Sequence, residues 1–315
     1  MSKDCNKLIN RIKDRMLLGT LYDKFMLKVR YNDSKTHFLY SVMTGQKHRM
    51  IYYRRFREKY LPEAVKERPF EALEKKHNPD IVWVMWLQGM DKAPDIVKKC
   101  VKSQQKAMPD KNFIFLDETN IGKYVSFPDY IMEKKRKGII GNAHFSDLVR
   151  NELLIKYGGF WIDSTVFMTD DKLIRDMEKN DLFMFSFYYF GFNPEIMELN
   201  NWFIYSTTNN NMLCLLQKML LAYWKDKNYA SNYYIYQIFE SIVNDYYHED
   251  YLKIPIVSQA QAHVLATCIY DEFDGDKYEM LKKTTGVHKL STRFDQDRIQ
   301  KKGTFYDVIF NKSDR

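Results

Sequence analysis

One segment, residues 144–165, constrains the fold of this chain more than any other. It reads HFSDLVRNELLIKYGGFWIDST. Asp147 and Arg150 stand three positions apart, so on a helix they share one face. A buried stripe can be supplied by Leu148, Leu153, Leu154 and Ile155. Gly158 and Gly159 follow, and glycine commonly ends a helix because it enters left-handed backbone conformations without a steric penalty. The segment predicts an α-helix followed by a tight turn.

The turn leads into a predicted strand that carries oxygen side chains. Residues 160–166 are aromatic and β-branched, which is typical of a short buried strand. Strand alternation places Asp163 and Thr165 on one face and Ser164 on the other. Helix and strand together therefore predict a cluster of polar groups.

The motifs S-D-x-x-R, L-L-x-K-Y-G-G and W-I-D-S-T in this segment resemble the signature of the capsular polysaccharide synthesis glycosyltransferases. That family is related to the yeast initiating mannosyltransferases and the clostridial glucosylating toxins. The resemblance covers residues 78–292, including IVWVMWLQG at 81–89 and VHKLS at 287–291. It implies an α/β fold of the GT-A type, a nucleotide-sugar-binding domain with a mixed central sheet.

The resemblance also implies roles for individual residues. Asp147, Arg150 and Asp163 would be catalytic: Asp147 would accept hydrogen bonds from sugar hydroxyls, and Arg150 would contact sugar or phosphate. The residues expected to contact the nucleotide sugar are Trp86, Leu87, Gln88, Asp147, Arg150, Asp163, Ser164, Thr165 and Lys289. Without the flanking motifs, a surface i,i+3 ion pair would be the preferred interpretation of Asp147 and Arg150.

A divalent cation, Mn²⁺ or Mg²⁺, is a further expectation. Many metal-dependent sugar transferases carry two acids as D-x-D, whereas this chain has Asp163, Ser164 and Thr165. Hard cations accept oxygen ligands and substrate phosphates, so the resemblance implies a shell of Asp163, Thr165 and His288. A lone histidine is more often a hydrogen-bonded structural residue, and both roles of His288 stay open.

The composition excludes several classes of protein. With 315 residues, 45% of them hydrophobic, the chain can bury a substantial core. The four cysteines are widely spaced and form no C-x-x-C pair, which argues against a disulfide framework or a zinc ribbon. The start of the chain lacks the apolar run of a signal peptide, and the longest apolar stretch, 182–192, is too short to span a bilayer. A cytoplasmic protein is expected, either soluble or peripheral on the membrane.

The positive charge lies in the N-terminal quarter. The net charge is +8, yet residues 1–78 alone hold 19 Lys and Arg against 9 Asp and Glu. Residues 47–60 interleave arginines with aromatic side chains, a composition that suits anionic lipid head groups. We therefore expect residues 1–78 to contact the inner face of the membrane, with a solvated helical face as the alternative. No nucleic-acid-binding motif is present, so nucleic acid is not an expected partner.

Two parts of the chain are predicted: a basic helical extension at 1–78, broken near 31–36 and 61–62, and a GT-A-like catalytic domain at 79–315. The expected strands are 81–86, 112–116, 182–189 and 201–206. The expected helices are one entered at Pro94 and those at 209–224 and 233–247. Residues 254–270 and 284–294 are expected to be closing strands and loops.

The implied reaction is retaining transfer of a hexose, galactose or glucose, from a UDP-sugar to a lipid-linked capsule or exopolysaccharide repeat unit. Residues 232–237 carry amides at two positions where the family more often has an acid and a histidine. If this segment shapes the acceptor site, the difference implies another acceptor or another mode of deprotonating it. Two alternatives stay open: a metal-dependent hydrolase of sugar nucleotides, and a catalytically silent nucleotide-binding scaffold of a polysaccharide-synthesis complex.

Overall fold

The computed structural model describes residues 9–31, 33–187 and 198–311. Its centre is a five-stranded mixed sheet in the order β2-β1-β3-β6-β5, accompanied by a two-stranded sheet of β4 and β7. The strands are β1 (Ile81–Met85), β2 (Asn112–Leu116), β3 (Gly159–Ile162), β4 (Val166–Met168), β5 (Leu182–Ser186), β6 (Leu199–Ser206) and β7 (Val287–Lys289). β1 runs parallel to β2 and β3, whereas β6 runs antiparallel to β3 and β5.

Helices cover the sheet and form the N-terminal region. They are α1 (Leu17–Val29), α2 (Ser34–Ala64), α3 (Asp95–Ala107), α4 (Asp129–Arg136), α5 (Asn142–Tyr157), α6 (Lys172–Met177), α7 (Asn211–Asp226), α8 (Ile235–Tyr246), α9 (His248–Tyr251), α10 (Gln259–Thr267), α11 (Gly275–Thr284) and α12 (Gln296–Ile299). Short 3₁₀ turns lie at Pro69–Ala72, Met90–Lys92 and Ile121–Lys123, and a π-helical turn at Asp307–Asn311. Across the described ranges, no helix is both long enough and apolar enough to cross a bilayer.

The predicted α/β fold with a mixed central sheet is confirmed. β2 begins and ends at the predicted residues, and β1 ends one residue early. α3 begins directly after Pro94, which is the N-cap residue. Parallel β1 and β3 end at the same edge of the sheet, which is where nucleotides bind in open α/β sheets.

The N-terminal helices contribute to the main hydrophobic core. Tyr52, Phe56 and Tyr60 of α2 are buried, and the ring of Phe56 stacks on Phe239 of α8 with 5.0 Å between centroids. The aromatic side chains of residues 47–60 therefore face the core, whereas the exposed side chains of this segment are charged ones. The aromatic half of the composition that suited lipid head groups thus belongs to the core, which corrects that interpretation of residues 47–60.

One of the two predicted helix breaks is present. α1 ends at Val29 and α2 begins at Ser34, with the Asp33 side chain accepting from the backbone N–H of Thr36 at 3.0 Å as an N-cap. The predicted break at 61–62 is wrong, because α2 continues through Pro62 to Ala64. A proline in the last turn of a helix removes one backbone hydrogen bond. α2 tolerates that loss because only two more residues follow Pro62 before the helix ends at Ala64.

The closing region also differs from the prediction. Within residues 254–270, expected to be strand and loop, α10 forms; Ser258 caps it by accepting from the backbone N–H of Ala260 at 3.2 Å. Its alanines, glutamines and leucine are helix formers, and this preference outweighed the short apolar runs on which the prediction depended. β5 ends at Ser186, and positions 188 and 189 of the predicted strand 182–189 lie outside the described residues.

The turn between α5 and β3 is the tightest point of the fold. Gly158 ends α5 as predicted, with φ 68°, and Gly159 has φ 91°. A Cβ on Gly159 would lie 2.6 Å from the carbonyl oxygen of Ile81 in β1. Both the dihedral angle and the contact with β1 therefore require glycine at this position.

Replacing Gly159 by alanine should lower the free energy of unfolding by about 3 kcal/mol, because the backbone of β1 cannot move away without breaking the sheet. Urea denaturation measures this. Gly122→Ala is the matched control: its added Cβ meets no atom within 4 Å, so the change should stay below about 0.5 kcal/mol. Equal effects of the two substitutions would contradict the argument.

Candidate functional site

A cleft of about 420 Å³ opens where β1 and β3 end. Most of the residues predicted to contact a nucleotide sugar line it: Trp86, Leu87, Gln88, Asp147, Arg150, Asp163, Ser164 and Thr165. Lys289 is brought to the same place by β7 and contacts two of these side chains. The cleft therefore unites residues from four separate parts of the sequence.

Asp163 is the centre of the polar cluster. Its Oδ1 accepts from Trp161 Nε1 at 3.0 Å and lies 3.4 Å from a terminal nitrogen of Arg150. Its Oδ2 accepts from Lys289 Nζ at 2.9 Å. Burial alone would raise the pKa of the carboxyl, but the positive charges of Lys289 and Arg150 outweigh burial and hold this pKa below its usual value. Asp163 is therefore ionised at neutral pH.

Arg150 joins the two acids of the cluster. Its NH1 lies 3.0 Å from Asp147 Oδ1, and its guanidinium stacks over the Trp161 ring at 4.9 Å from the centroid. Only 7% of the Arg150 side chain is exposed. The alternative of an exposed i,i+3 ion pair is therefore wrong, and removing either acid would leave a buried cation poorly paired.

Two amides that sequence reasoning did not assign to this network position Asp147. Asn201 of β6 donates from Nδ2 to Asp147 Oδ1 at 2.8 Å, and Gln237 of α8 donates from Nε2 to Asn201 Oδ1 at 3.2 Å. In the sequence, Gln237 stands out only as one amide of segment 232–237. Asn201 is a polar residue at the start of a largely aromatic and apolar run, but the sequence does not show which residue it pairs with.

Asp163 and Thr165 lie in a turn, whereas a continuous strand was predicted. β3 ends at Ile162, and the N–H of Val166 donates to the Asp163 carbonyl oxygen at 3.0 Å. Gln104 Nε2 donates to the carbonyl oxygens of Asp163 and Val166 at 3.1 and 2.8 Å, which fixes the turn from the side of α3. Asp163 and Thr165 nevertheless point the same way, because both accept from the Lys289 ammonium.

His288 does not reach this cluster. β7 is a three-residue strand, so successive side chains point to opposite faces: Lys289 faces the cleft, and His288 lies on the other side with Nε2 3.4 Å from Thr169 Oγ1. The imidazole is fully buried, and burial lowers its pKa to about 4. The structure therefore places His288 in the packing between β7 and its neighbours.

The residues present do not fit the divalent-cation shell expected from sequence. Asp163 is the one charged ligand at the turn, and Lys289 Nζ already lies 2.9 Å from its Oδ2 and 2.6 Å from Thr165 Oγ1. A hard cation binding both oxygens at 2.0–2.6 Å would have to displace that ammonium. In the described ranges, no group of three or more His, Cys, Asp or Glu side chains is arranged to hold a metal ion.

Fold and site together define a class. The chain is a mixed α/β protein with a cluster of partly buried acids and bases where strands end, which is the edge at which open α/β sheets bind ligands. More narrowly, the chain belongs to the capsular polysaccharide synthesis protein family, whose model matches residues 34–309. The family resemblance predicted from the motifs is confirmed.

Individual relatives share less of the chain. It is 32% identical over 96 residues to the O-glycosyltransferase braB of Annulohypoxylon truncatum, which is 28% of this chain and 23% of that protein. The chain thus spans under a quarter of that relative. The solved structure of PaToxG glycosyltransferase is similar at 13% identity with a TM-score of 0.35, covering 86% of this chain and 97% of that one.

The structural position of His288 predicts a pH dependence of stability. The unfolded imidazole binds a proton near its ordinary pKa of 6.5, whereas the folded one does so near 4. Between these values the unfolded state holds more protons, so stability falls as the pH falls. By pH 5 the free energy of unfolding of the wild type should have fallen by about 2 kcal/mol because of His288, and His288→Gln should not show this decrease.

Denaturant titrations across this pH range measure the difference between the two proteins. His37→Gln, at an exposed position of α2, is the control. Its free energy of unfolding should change with pH in the same way as that of the wild type. Identical slopes for the wild type and His288→Gln would show that burial of His288 does not control its protonation.

Proposed function

We propose that this protein is a glycosyltransferase that moves a hexose, galactose or glucose, from a UDP-sugar to a lipid-linked saccharide of a capsule or exopolysaccharide, with retention of anomeric configuration. Family membership and the similarity to an O-glycosyltransferase support transfer as the reaction class. The nature of the donor, the acceptor and the stereochemical course are our inferences from the resemblance and the site.

The observation that carries this proposal is the convergence of Asp147, Arg150, Asp163 and Lys289 in one cleft at the strand ends. The volume of the cleft, about 420 Å³, falls within the range of small-ligand and cofactor sites. Buried donors are available as well. Trp86 Nε1 and Arg150 Nε have no hydrogen-bond partner among the residues that the structure describes, and a bound nucleotide sugar would satisfy them.

The chemical demand is the departure of a nucleoside diphosphate. The bond between the anomeric carbon and the β-phosphate oxygen breaks, and its electron pair leaves with that oxygen. The acceptor hydroxyl oxygen bonds to the same carbon from the same face, and its proton passes to the departing phosphate. Arg150 and Lys289 stabilise the charge that develops on the phosphate, while Asp147, held by Asn201, orients the sugar hydroxyls.

We propose that Lys289 supplies the positive charge that the resemblance implied for a divalent cation. Its ammonium bridges Asp163 Oδ2 and Thr165 Oγ1, the two oxygens proposed as metal ligands. A cation held there by Asp163 is directed at the position where the diphosphate leaves. We propose that donor binding in this chain depends on Lys289 and needs no added metal ion.

Asp163→Asn tests the site assignment. Sugar transfer to an acceptor extract should fall at least about a hundredfold, because the amide no longer holds Lys289 and Arg150 at the leaving group. A radiolabelled UDP-hexose assay measures transfer, and circular dichroism checks the fold. Asp110→Asn, an exposed acid, is the control and should keep wild-type activity.

The products of the same assay distinguish the alternatives. Release of free hexose without transfer would replace our proposal with hydrolysis, and donor binding without turnover would replace it with the scaffold. Full activity of Asp163→Asn would show that the site lies elsewhere.

Titration calorimetry with a UDP-hexose tests the role of Lys289. EDTA-treated wild type should bind as tightly as protein supplied with Mn²⁺, whereas Lys289→Met should bind at least about tenfold more weakly in both conditions, because a charge-assisted contact to the diphosphate is lost. Lys282→Met is a control at a lysine paired with Glu279 on α11. Binding that is lost in EDTA and restored by Mn²⁺ would support the metal instead.

A further inference from the structure

The apolar stripe of α1 faces solvent. Leu18, Leu21, Tyr22, Phe25 and Val29 recur at the spacing of one helix face, and each is exposed, Leu18 by 82% and Phe25 by 60%. An amphipathic helix of a globular protein ordinarily turns such a stripe towards the core. Within residues 9–31, 33–187 and 198–311, no element covers the stripe.

The polar side of α1 faces inward. Asp23 is 4% exposed, and its carboxylate accepts from Lys47 Nζ at 2.7 and 2.9 Å and lies 2.9 Å from His48 Nε2. Both partners belong to α2. Thr20 is buried as well, with its hydroxyl bonded to the carbonyl oxygen of Met16 at 2.8 Å. The contacts of Asp23 with Lys47 and His48 fix the rotation of α1 against α2, so the outward stripe is built into the fold.

The beginning of α2 extends the apolar surface. Phe38, Leu39 and Met43 are exposed, Met43 by 70%. α1 and α2 pack on each other, and we call residues 17–31 and 33–43 the docking hairpin. Exposed apolar side chains concentrated in this way are typical of a surface that binds a partner or a membrane.

The charged side chains around the stripe indicate which kind of partner it would bind. Helical spacing places Lys24 and Lys28 along one edge of the stripe, and both are exposed, as are Arg30 and Lys35. The exposed acid of the hairpin, Asp33, is engaged as the N-cap of α2. Apolar residues rimmed by cations fit a bilayer surface that contains anionic lipid. A second copy of the same face would instead bring like charges together.

We propose that the docking hairpin binds an anionic membrane surface, with the stripe of α1 inserted among the acyl chains and Lys24 and Lys28 at the head groups. This surface differs from residues 47–60, whose aromatic side chains are in the core. The proposal is independent of the proposed transfer reaction, because it concerns the position of the whole chain and not the chemistry of the cleft.

Vesicle co-sedimentation of the full-length protein tests it. Vesicles of phosphatidylcholine with phosphatidylglycerol should bind the wild type, and phosphatidylcholine alone should bind it at least about tenfold more weakly. The double variant Leu18→Gln/Phe25→Gln should lose at least about a hundredfold of the affinity for anionic vesicles, since two large apolar side chains no longer enter the bilayer. Both positions are exposed, so the fold should be unaffected.

The matched control is Leu252→Gln/Ile256→Gln, which removes two equally exposed apolar side chains away from the hairpin and should bind like wild type. Nucleotide-sugar binding, measured alongside, should be equal in all three proteins. Failure of the wild type to bind anionic vesicles would overturn the proposal, and so would equal losses in the two double variants. A wild-type dimer that dissociates in Leu18→Gln/Phe25→Gln without any vesicle binding would assign the surface to a second copy.

Discussion

The ion pairs of the partly buried carboxylate of Asp163 are the interaction on which the site depends. Through Arg150 and Lys289 they join β3 and α5, which are neighbours in the sequence, to β7, whose Lys289 is 126 positions further along the chain. An unpaired charge in this position would be strongly unfavourable, so the carboxylate and its two cations stabilise one another only when all three elements are in place. The polar side chains of the cleft are therefore positioned when the chain folds, before a ligand binds.

The same cluster balances its own charge. Asp147 and Asp163 offset Arg150 and Lys289, so a diphosphate that enters adds negative charge to a neutral site. Arg150 is held by two acids and by the Trp161 ring, and its fork is rigid. Lys289 has a flexible stem and is 18% exposed, so in the proposed reaction its ammonium is able to shift from Thr165 to a phosphate oxygen. Both cations compensate the charge of the leaving group in that proposal, Arg150 from a fixed position and Lys289 by moving.

The sequence predicted the local parts of this site better than their assembly. Gly158 and the Asp147–Arg150 face were readable because helix caps and i,i+3 spacing depend on neighbouring residues. The orientation of His288 was not, because a three-residue strand has no apolar pattern long enough to establish which face is inward. Asn201 was missed for a related reason: its partner, Asp147, is 54 residues earlier in the chain. Long-range pairing decides such roles.

The docking hairpin is a second case in which a long-range contact decides what the sequence pattern alone does not show. Periodicity in α1 identifies an apolar stripe, and the usual inference turns that stripe inward. The core beneath is already filled by Tyr52, Phe56 and Tyr60 of α2, and rotating α1 to bury its stripe would separate Asp23 from Lys47 and His48. Because a buried acid without its partners costs more than exposed leucine side chains, the orientation of α1 is set by one ion-pair cluster. The exposed stripe is a consequence of that cluster, and the docking hairpin is proposed to use it to bind the membrane.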